Sequence, residues 1–296
     1  MDIGISDSAT TVGDIIKRSG VAAEQGFSTY SMPQTFSLDV LTAIAVASTV
    51  VPGIDFATAV VPTYRQHPMM LAQQALTVSQ VSGGRLILGI GLSHQVVVEG
   101  MWGLSYGKPL RHMREYLDVL MPILEGQPAN AAGEVITGRG AIDAPAPRPT
   151  VVLAALGPKM LELAGRVADG TATWMVGPAT LRAHTLPVMA AAAEAADRSA
   201  PRALVSLPVC VTENVDVARA RAAEDFAIYG QLPSYRAMLD REGASGPEDV
   251  AIIGSADEVA TRISDLFDAG ATMFSALEFG DTDEKSSTRE LLVSLL

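Results

Sequence analysis

Eight short, apolar, β-rich runs, each followed by a segment of helical spacing, restrict this chain more than any other feature of its sequence. They lie at 2–6, 27–32, 54–61, 85–91, 151–155, 171–176, 203–212 and 272–278. Most are continuous apolar runs rather than alternations, as expected of strands covered on both faces. The intervening segments have helix boundaries. Pro68 stands at a first helical position, Leu71, Ala75 and Val78 repeat along one face, and Gly83-Gly84 closes the segment. Ser255-Ala256-Asp257-Glu258 caps a last helix that stops at Gly270. Strand–helix alternation with short links implies a parallel sheet with right-handed crossovers, and eight units favour closure over an open sheet. The expected fold is an α/β (β/α)8 TIM barrel spanning 1–296 as one domain, with its chemistry at the C-terminal strand ends.

Length alone would also suit two domains, but α/β barrels commonly take roughly 200 to 300 residues. Hydrophobic residues make up 48% of the chain and charged residues only 18%, enough for a large core. The stretches 95–110, 126–150 and 230–254 break the rhythm and read as insertions on the barrel; long loops in a compact domain are usually functional or disordered. A net charge of −12 argues against a nucleic acid or an acidic membrane surface as partner. It does not exclude a small anion, because helix N-termini and a few cations act locally. The longest apolar stretch, Val40 to Val51, is shorter than the roughly 20 residues a bilayer needs. No secretory leader is evident at Met1–Ile5, and the single cysteine, Cys210, excludes an intrachain disulfide and reads as a buried thiol. A soluble, cytoplasmic protein is expected.

Gly89-Ile90-Gly91 invites a dinucleotide reading, but the third glycine of that fingerprint is replaced by His94 and no helix is expected to begin at once. The two glycines instead read as room for a ligand at the barrel mouth. His94, just past the fourth strand, is a candidate for proton transfer or for bonding a substrate or cofactor oxygen; a structural loop histidine is the alternative. His67 reads as a loop anchor, and His112 and His184 as exterior helix residues. The four histidines show no metal-ligand spacing. Glu278, ending the last strand, reads equally as an acid or as a rim carboxylate. Neither a nucleophile elbow nor a carboxylate pair is visible. Ala155-Leu156-Gly157-Pro158-Lys159 opens a helix after the fifth strand and reads either as a phosphate cradle or as ordinary capping.

Several blocks, taken together and in order, resemble the bacterial luciferase-like flavin oxidoreductase superfamily. They are Arg65-Gln66-His67-Pro68, Val81-Ser82-Gly83-Gly84-Arg85-Leu86-Ile87-Leu88-Gly89-Ile90-Gly91, Ala164-Gly165-Arg166-Val167-Ala168-Asp169-Gly170 and Gly254-Ser255-Ala256-Asp257-Glu258-Val259. The resemblance covers nearly the whole chain, leans toward the branch using the deazaflavin coenzyme F420, and is most specific from Ser82 to Gly91. It implies a TIM-type barrel with a flavin or deazaflavin in its mouth. It further implies a bulge after the third strand, with a non-prolyl cis bond at Ala59–Val60, backing the ring. By the same resemblance Gln34 lies near the ring, and Leu92, Ser93 and His94 line it. Ala155, Leu156, Gly157, Pro158 and Lys159 match the phosphate loop, while Trp174, Met175 and Val176 lie near the tail. Sugar-phosphate-oxidising relatives carry an acid near position 94 and a histidine near 34. This chain has His94 and Gln34, so that activity is not expected.

The expected function is hydride transfer between the deazaflavin C5 and a small organic substrate, with His94 as proton-transfer partner and Gln34 at the ring edge. The alternatives are an FMN-dependent monooxygenase and a barrel that binds the cofactor without catalysis. The substrate wall is expected from 95–110, with Trp102 and Tyr106, and from 230–254, which points to a partly hydrophobic substrate. A homodimer is implied by the resemblance alone.

Overall fold

The computed structural model describes every residue from Met1 to Leu296. Eight parallel strands close into a barrel: β1 (Ile3–Ser6), β2 (Thr29–Met32), β3 (Asp55–Thr58), β4 (Leu86–Gly91), β5 (Thr150–Ala154), β6 (Gly170–Trp174), β7 (Arg202–Val211) and β8 (Met273–Glu278). Each pairs with its sequence neighbours, and β8 pairs with β1 through Ile3 opposite Phe274. All eight expected strands are present. The third ends at Thr58 rather than at 61, and the chain pairs again only at Val61–Pro62, beside Ile90 and Gly91.

The barrel is filled at its lower end by Ala57, Ile87, Val152, Leu204 and Met273, with Ala172 against them. Above this apolar layer the inward positions become small and polar. Ser31 and Ser275 share a 2.7 Å hydrogen bond, and Ser206 donates to the Ser275 carbonyl. A TIM barrel packed below and polar above is open to ligands only from its C-terminal face. No helix is long and apolar enough to cross a membrane.

Helix boundaries follow the local chemistry. Thr11 accepts from the Asp14 N–H to start the helix Val12–Gln25, which ends on Gly26 in the left-handed region. The helix Pro68–Ser82 starts on His67, whose Nδ1 accepts from Met69 and whose Nε2 donates to Thr137 O, so this histidine is an anchor as expected. Arg85 accounts for much of the Ser82-to-Arg85 block. Its guanidinium donates to the carbonyls of Ser82, Val51, Ile54 and Ser48, at 2.7–3.0 Å, lacing the ends of two helices to the start of β3.

The two longer excursions are more ordered than their composition suggests. Residues 126–150 contain an antiparallel hairpin, Ala129–Ala132 with Thr137–Gly140. Its turn is gripped by the Glu115 carboxylate, which accepts from the N–H groups of Glu134, Val135 and Ile136. Residues 230–254 are not a loop. They carry the helices Pro233–Glu242 and Pro247–Val250, and a short strand, Ile252–Gly254, that pairs with the end of β7. Both prolines occupy first helical positions, where the missing N–H costs nothing.

Candidate functional site

The parallel sheet carries every candidate side chain to one rim, since each follows a strand's C-terminal end. Gln34 lies two residues past β2, Ala59 and Val60 follow β3, Leu92 to His94 follow β4, Ala155 to Lys159 follow β5, and Trp174 to Val176 end and follow β6. Two of these positions, Ser93 (φ 61°) and Met175 (φ 55°), are non-glycine residues in the left-handed region. Such conformations cost of order 1 kcal/mol and concentrate at binding sites.

The peptide bond Ala59–Val60 is cis. Its bulge is accommodated by the two glycines of β4. A Cβ on Gly89 would overlap the Thr58 carbonyl oxygen, and one on Gly91 would stand 2.7 Å from Val60 Cγ2. The glycines were expected to admit a ligand; Gly89 instead makes room for the Thr58 main chain and Gly91 for the Val60 side chain. Thr58 Oγ1 donates to Gly89 O at 2.7 Å and Ala59 N donates to Met32 O at 2.8 Å, tying the bulge to both flanking strands.

A column of rings begins a few residues after the bulge, at Tyr64. Tyr106 stacks on Tyr64 (5.4 Å), and Tyr64 on His112 at 3.9 Å with planes 5° apart; Tyr116 follows. The segment 101–108 is therefore folded back on residues 63–65, with Arg65 over the Trp102 ring and the Tyr106 hydroxyl donating to Ser93 O. His112 was expected outside. It is buried, bonded to Thr63 Oγ1, and burial lowers its pKa to about 4 against the opposing pull of Glu115. His184 is likewise buried, and its Nε2 donates to Leu156 O at 2.9 Å. Both histidines lie on the core-facing side of their helices, which residue type alone cannot reveal.

Gln34 is engaged locally. Its Oε1 accepts from Val40 N at 2.7 Å and its Nε2 donates to Leu38 O, leaving one N–H free. His94 is the N-cap residue of a helix Gln95–Gly100 that the sequence did not reveal. Burial pushes its imidazole below the ordinary histidine range, so it is uncharged at neutral pH. At β5, Ala155 is buried and Leu156 half-buried, while Gly157, Pro158 and Lys159 are exposed. No side chain caps the helix Pro158–Val167, and a Cβ on Gly157 would meet nothing within 4 Å. Glu278 is committed elsewhere, in a two-pronged ion pair with Arg289.

Across the mouth runs a second set of rings that the sequence reading missed. Trp174 meets Phe226 and Tyr229 edge-on, Tyr229 meets Tyr235, and Tyr235 reaches His94 at 5.9 Å. The insertion 230–254 was expected as a wall. The ring contacts add Phe226 and Tyr229 just before it, aromatic residues whose spacing carried no signal.

The chain matches the model of the luciferase-like monooxygenase family over residues 3–273. It is 28% identical over 264 residues to a putative coenzyme F420-dependent oxidoreductase of Mycobacterium tuberculosis, covering 84% of this chain and 75% of that one. Two solved structures share the fold. The coenzyme F420-dependent tetrahydromethanopterin reductase of Methanopyrus kandleri superposes with a TM-score of 0.83 at 21% identity, over 99% of this chain and 97% of its own. The oxygenating constituent of 3,6-diketocamphane monooxygenase from Pseudomonas putida, in complex with FMN, gives 0.79 at 20% identity over 99% and 96%.

Proposed function

The chain belongs to the luciferase-like monooxygenase family, and on that premise we propose that it is an oxidoreductase holding coenzyme F420 in the barrel mouth, with hydride moving between the deazaflavin C5 and a small, partly hydrophobic organic substrate. One observation carries the reading: a recessed main-chain bulge at Ala59–Val60 and an open helix N-terminus at Gly157–Lys159 stand on the same rim. A flat ring joined to a phosphate-bearing tail asks for both, a shaped face for the ring and free N–H groups with a cation for the phosphate. Ala59, Val60, Leu92, Ser93 and His94 would hold the ring, with the spare N–H of Gln34. Ala155 to Lys159 would hold the tail, with Trp174, Met175 and Val176 beside it, and His184 sets the loop through Leu156 O.

When bound, the coenzyme supplies a two-electron hydride donor or acceptor at one carbon. The chain supplies position and proton handling. An uncharged His94 accepts the hydroxyl proton of an alcohol as its carbon is oxidised, and returns it in the reverse direction. The name of the mycobacterial relative supports F420, while the FMN-bound Pseudomonas protein supports the rival reading of an FMN-dependent monooxygenase. Titrating apo-protein with F420 and with FMN, each followed by fluorescence quenching, separates the two. F420 is expected to bind at about micromolar Kd or tighter. Binding of FMN alone would sink the proposal, and F420 binding without turnover of any enone, imine or alcohol would leave a non-catalytic carrier.

A further inference from the structure

A cavity of about 270 Å³ lies outside the barrel, between β7 and the segments that follow β6 and β7. Leu204 fills the barrel interior, so Leu207, three residues along the same strand, faces the opposite way and forms the cavity's inner wall. Glu242 closes the helix Pro233–Glu242 on one side, and Asp249, Val250 and Ile252 follow it. The helix Ala256–Asp268 supplies Arg262, Asp265 and Leu266. Leu207, Val250, Ile252 and Leu266 are buried, Arg262 is half-buried and Asp265 is exposed. The cavity therefore has an apolar floor and a charged entrance, at a volume that suits a small molecule.

Four charged side chains line it, and two are already spent. The Glu242 carboxylate accepts from Ala179 N at 3.0 Å and Thr180 N at 2.7 Å. Asp249 accepts from Ser245 N at 2.7 Å through one oxygen and is paired with Arg219 through the other. Arg262 and Asp265 remain. Of its N–H groups Arg262 uses one, donating to the Asp249 main-chain oxygen at 3.3 Å, and it joins no ion pair. Burial, and then the like charge of Arg219, hold its guanidinium below the ordinary arginine range, while Asp265, Asp249 and Glu258 pull the other way. The group stays charged, with most of its donor fork free. Asp265 stands three residues further along the same helix, so the two free groups are neighbours on one face.

A ligand that engages both must carry both signs. A plain anion on Arg262 would stand beside the Asp265 carboxylate, and a plain cation on Asp265 would face Arg262 and Arg219. A zwitterion satisfies both groups and adds no net charge. An α-amino acid carries carboxylate, ammonium and side chain on one carbon, which matches a donor fork, an acceptor and an apolar floor in one small cavity. We propose that this cavity binds a free α-amino acid with an apolar side chain. Its carboxylate accepts from the Arg262 guanidinium, its ammonium donates to Asp265, and its side chain lies against Leu207, Val250, Ile252 and Leu266. None of these residues belongs to the coenzyme site, so the inference stands apart from the oxidoreductase reading.

The test is calorimetry on the whole chain with L-leucine and two analogues: 4-methylpentanoate, which lacks the ammonium, and 3-methylbutylamine, which lacks the carboxylate. L-Leucine is expected to bind with a Kd of about 1 mM or tighter, and each analogue at least about tenfold more weakly. Asp265→Asn, at an exposed position, is expected to weaken leucine by about tenfold, and Arg262→Gln by at least as much. The analogue comparison uses the parent protein and so does not depend on how either variant folds. Absence of leucine binding at about 10 mM overturns the proposal. Equal affinity for leucine and 4-methylpentanoate overturns it in favour of a plain anion site, and equal affinity for the amine does so in favour of a cation site. Leucine affinity unchanged in both variants places the ligand elsewhere and overturns it as well.

Discussion

On the β3–β4 side the mouth is bounded by a cis-linked bulge seated over two glycines, with a column of stacked and tilted rings starting at Tyr64 just beyond it in the chain. On the β6 side it is bounded by side chains that meet edge-on and belong partly to an insertion after β7. A main-chain wall offers the same face whatever its side chains are, and suits a ligand that does not change. A wall of rings carried on an insertion can be reshaped one residue at a time without disturbing the barrel. The contrast is between a wall fixed by the barrel's own strands and one that a later segment of the chain supplies.

The comparison breaks if the first wall proves tolerant. Gly89→Ala drives a Cβ into the Thr58 carbonyl oxygen and to 3.0 Å from Val60 Cγ1, with no flexible side-chain end to give way. A loss of about 3 kcal/mol in urea unfolding is expected, together with loss of ring binding. A variant as stable as the parent would show that the bulge can move and that the first wall is as adaptable as the second.

A smaller effect tests the ring column through pH. His112 titrates near 6.5 when unfolded and at about 4 when folded, because burial disfavours its charged form. As pH falls through this window the unfolded chain takes up a proton that the folded chain refuses, so stability is lost from about 6.5 downward and levels off below about 4. The loss assigned to this ring is of order 2 kcal/mol, less than the full shift because the site is partly screened. It is read as the difference in unfolding midpoint between the parent and His112→Gln at about pH 7 and about pH 4.5. Equal pH dependence in the two proteins would remove His112 from the account.

The smallest effect comes at the column's inner end. The Tyr116 hydroxyl is buried without a partner, so Tyr116→Phe should be neutral or stabilising by up to about 1 kcal/mol. Destabilisation would reveal a bonding partner and make the column a polar network.

Much of this was legible in advance. Period and punctuation located eight strands, because a strand covered on both faces must be apolar along its length and a helix must be capped. The Ser82–Gly91 block was readable as a signature, but its parts do separate jobs: Arg85 laces the barrel's lower end, while Gly89 and Gly91 seat the bulge above. Other features were opaque for a physical reason. The helices that begin at Pro233 and Pro247 were not read from the sequence, where 230–254 stood only as an insertion, because short helices stabilised by packing leave little local pattern. His112 and His184 sit on helices whose buried side depends on neighbours far along the chain.

What the sequence determined by itself is the barrel and the end at which its chemistry lies, since parallel alternation places every post-strand residue on one rim. Which rim residues meet was decided by closure. Trp174, Tyr229, Tyr235 and His94 are spread over 141 positions (94 to 235), and no local period links them. Only the circular order of the strands and the path of one insertion bring their rings within 6 Å of one another in succession.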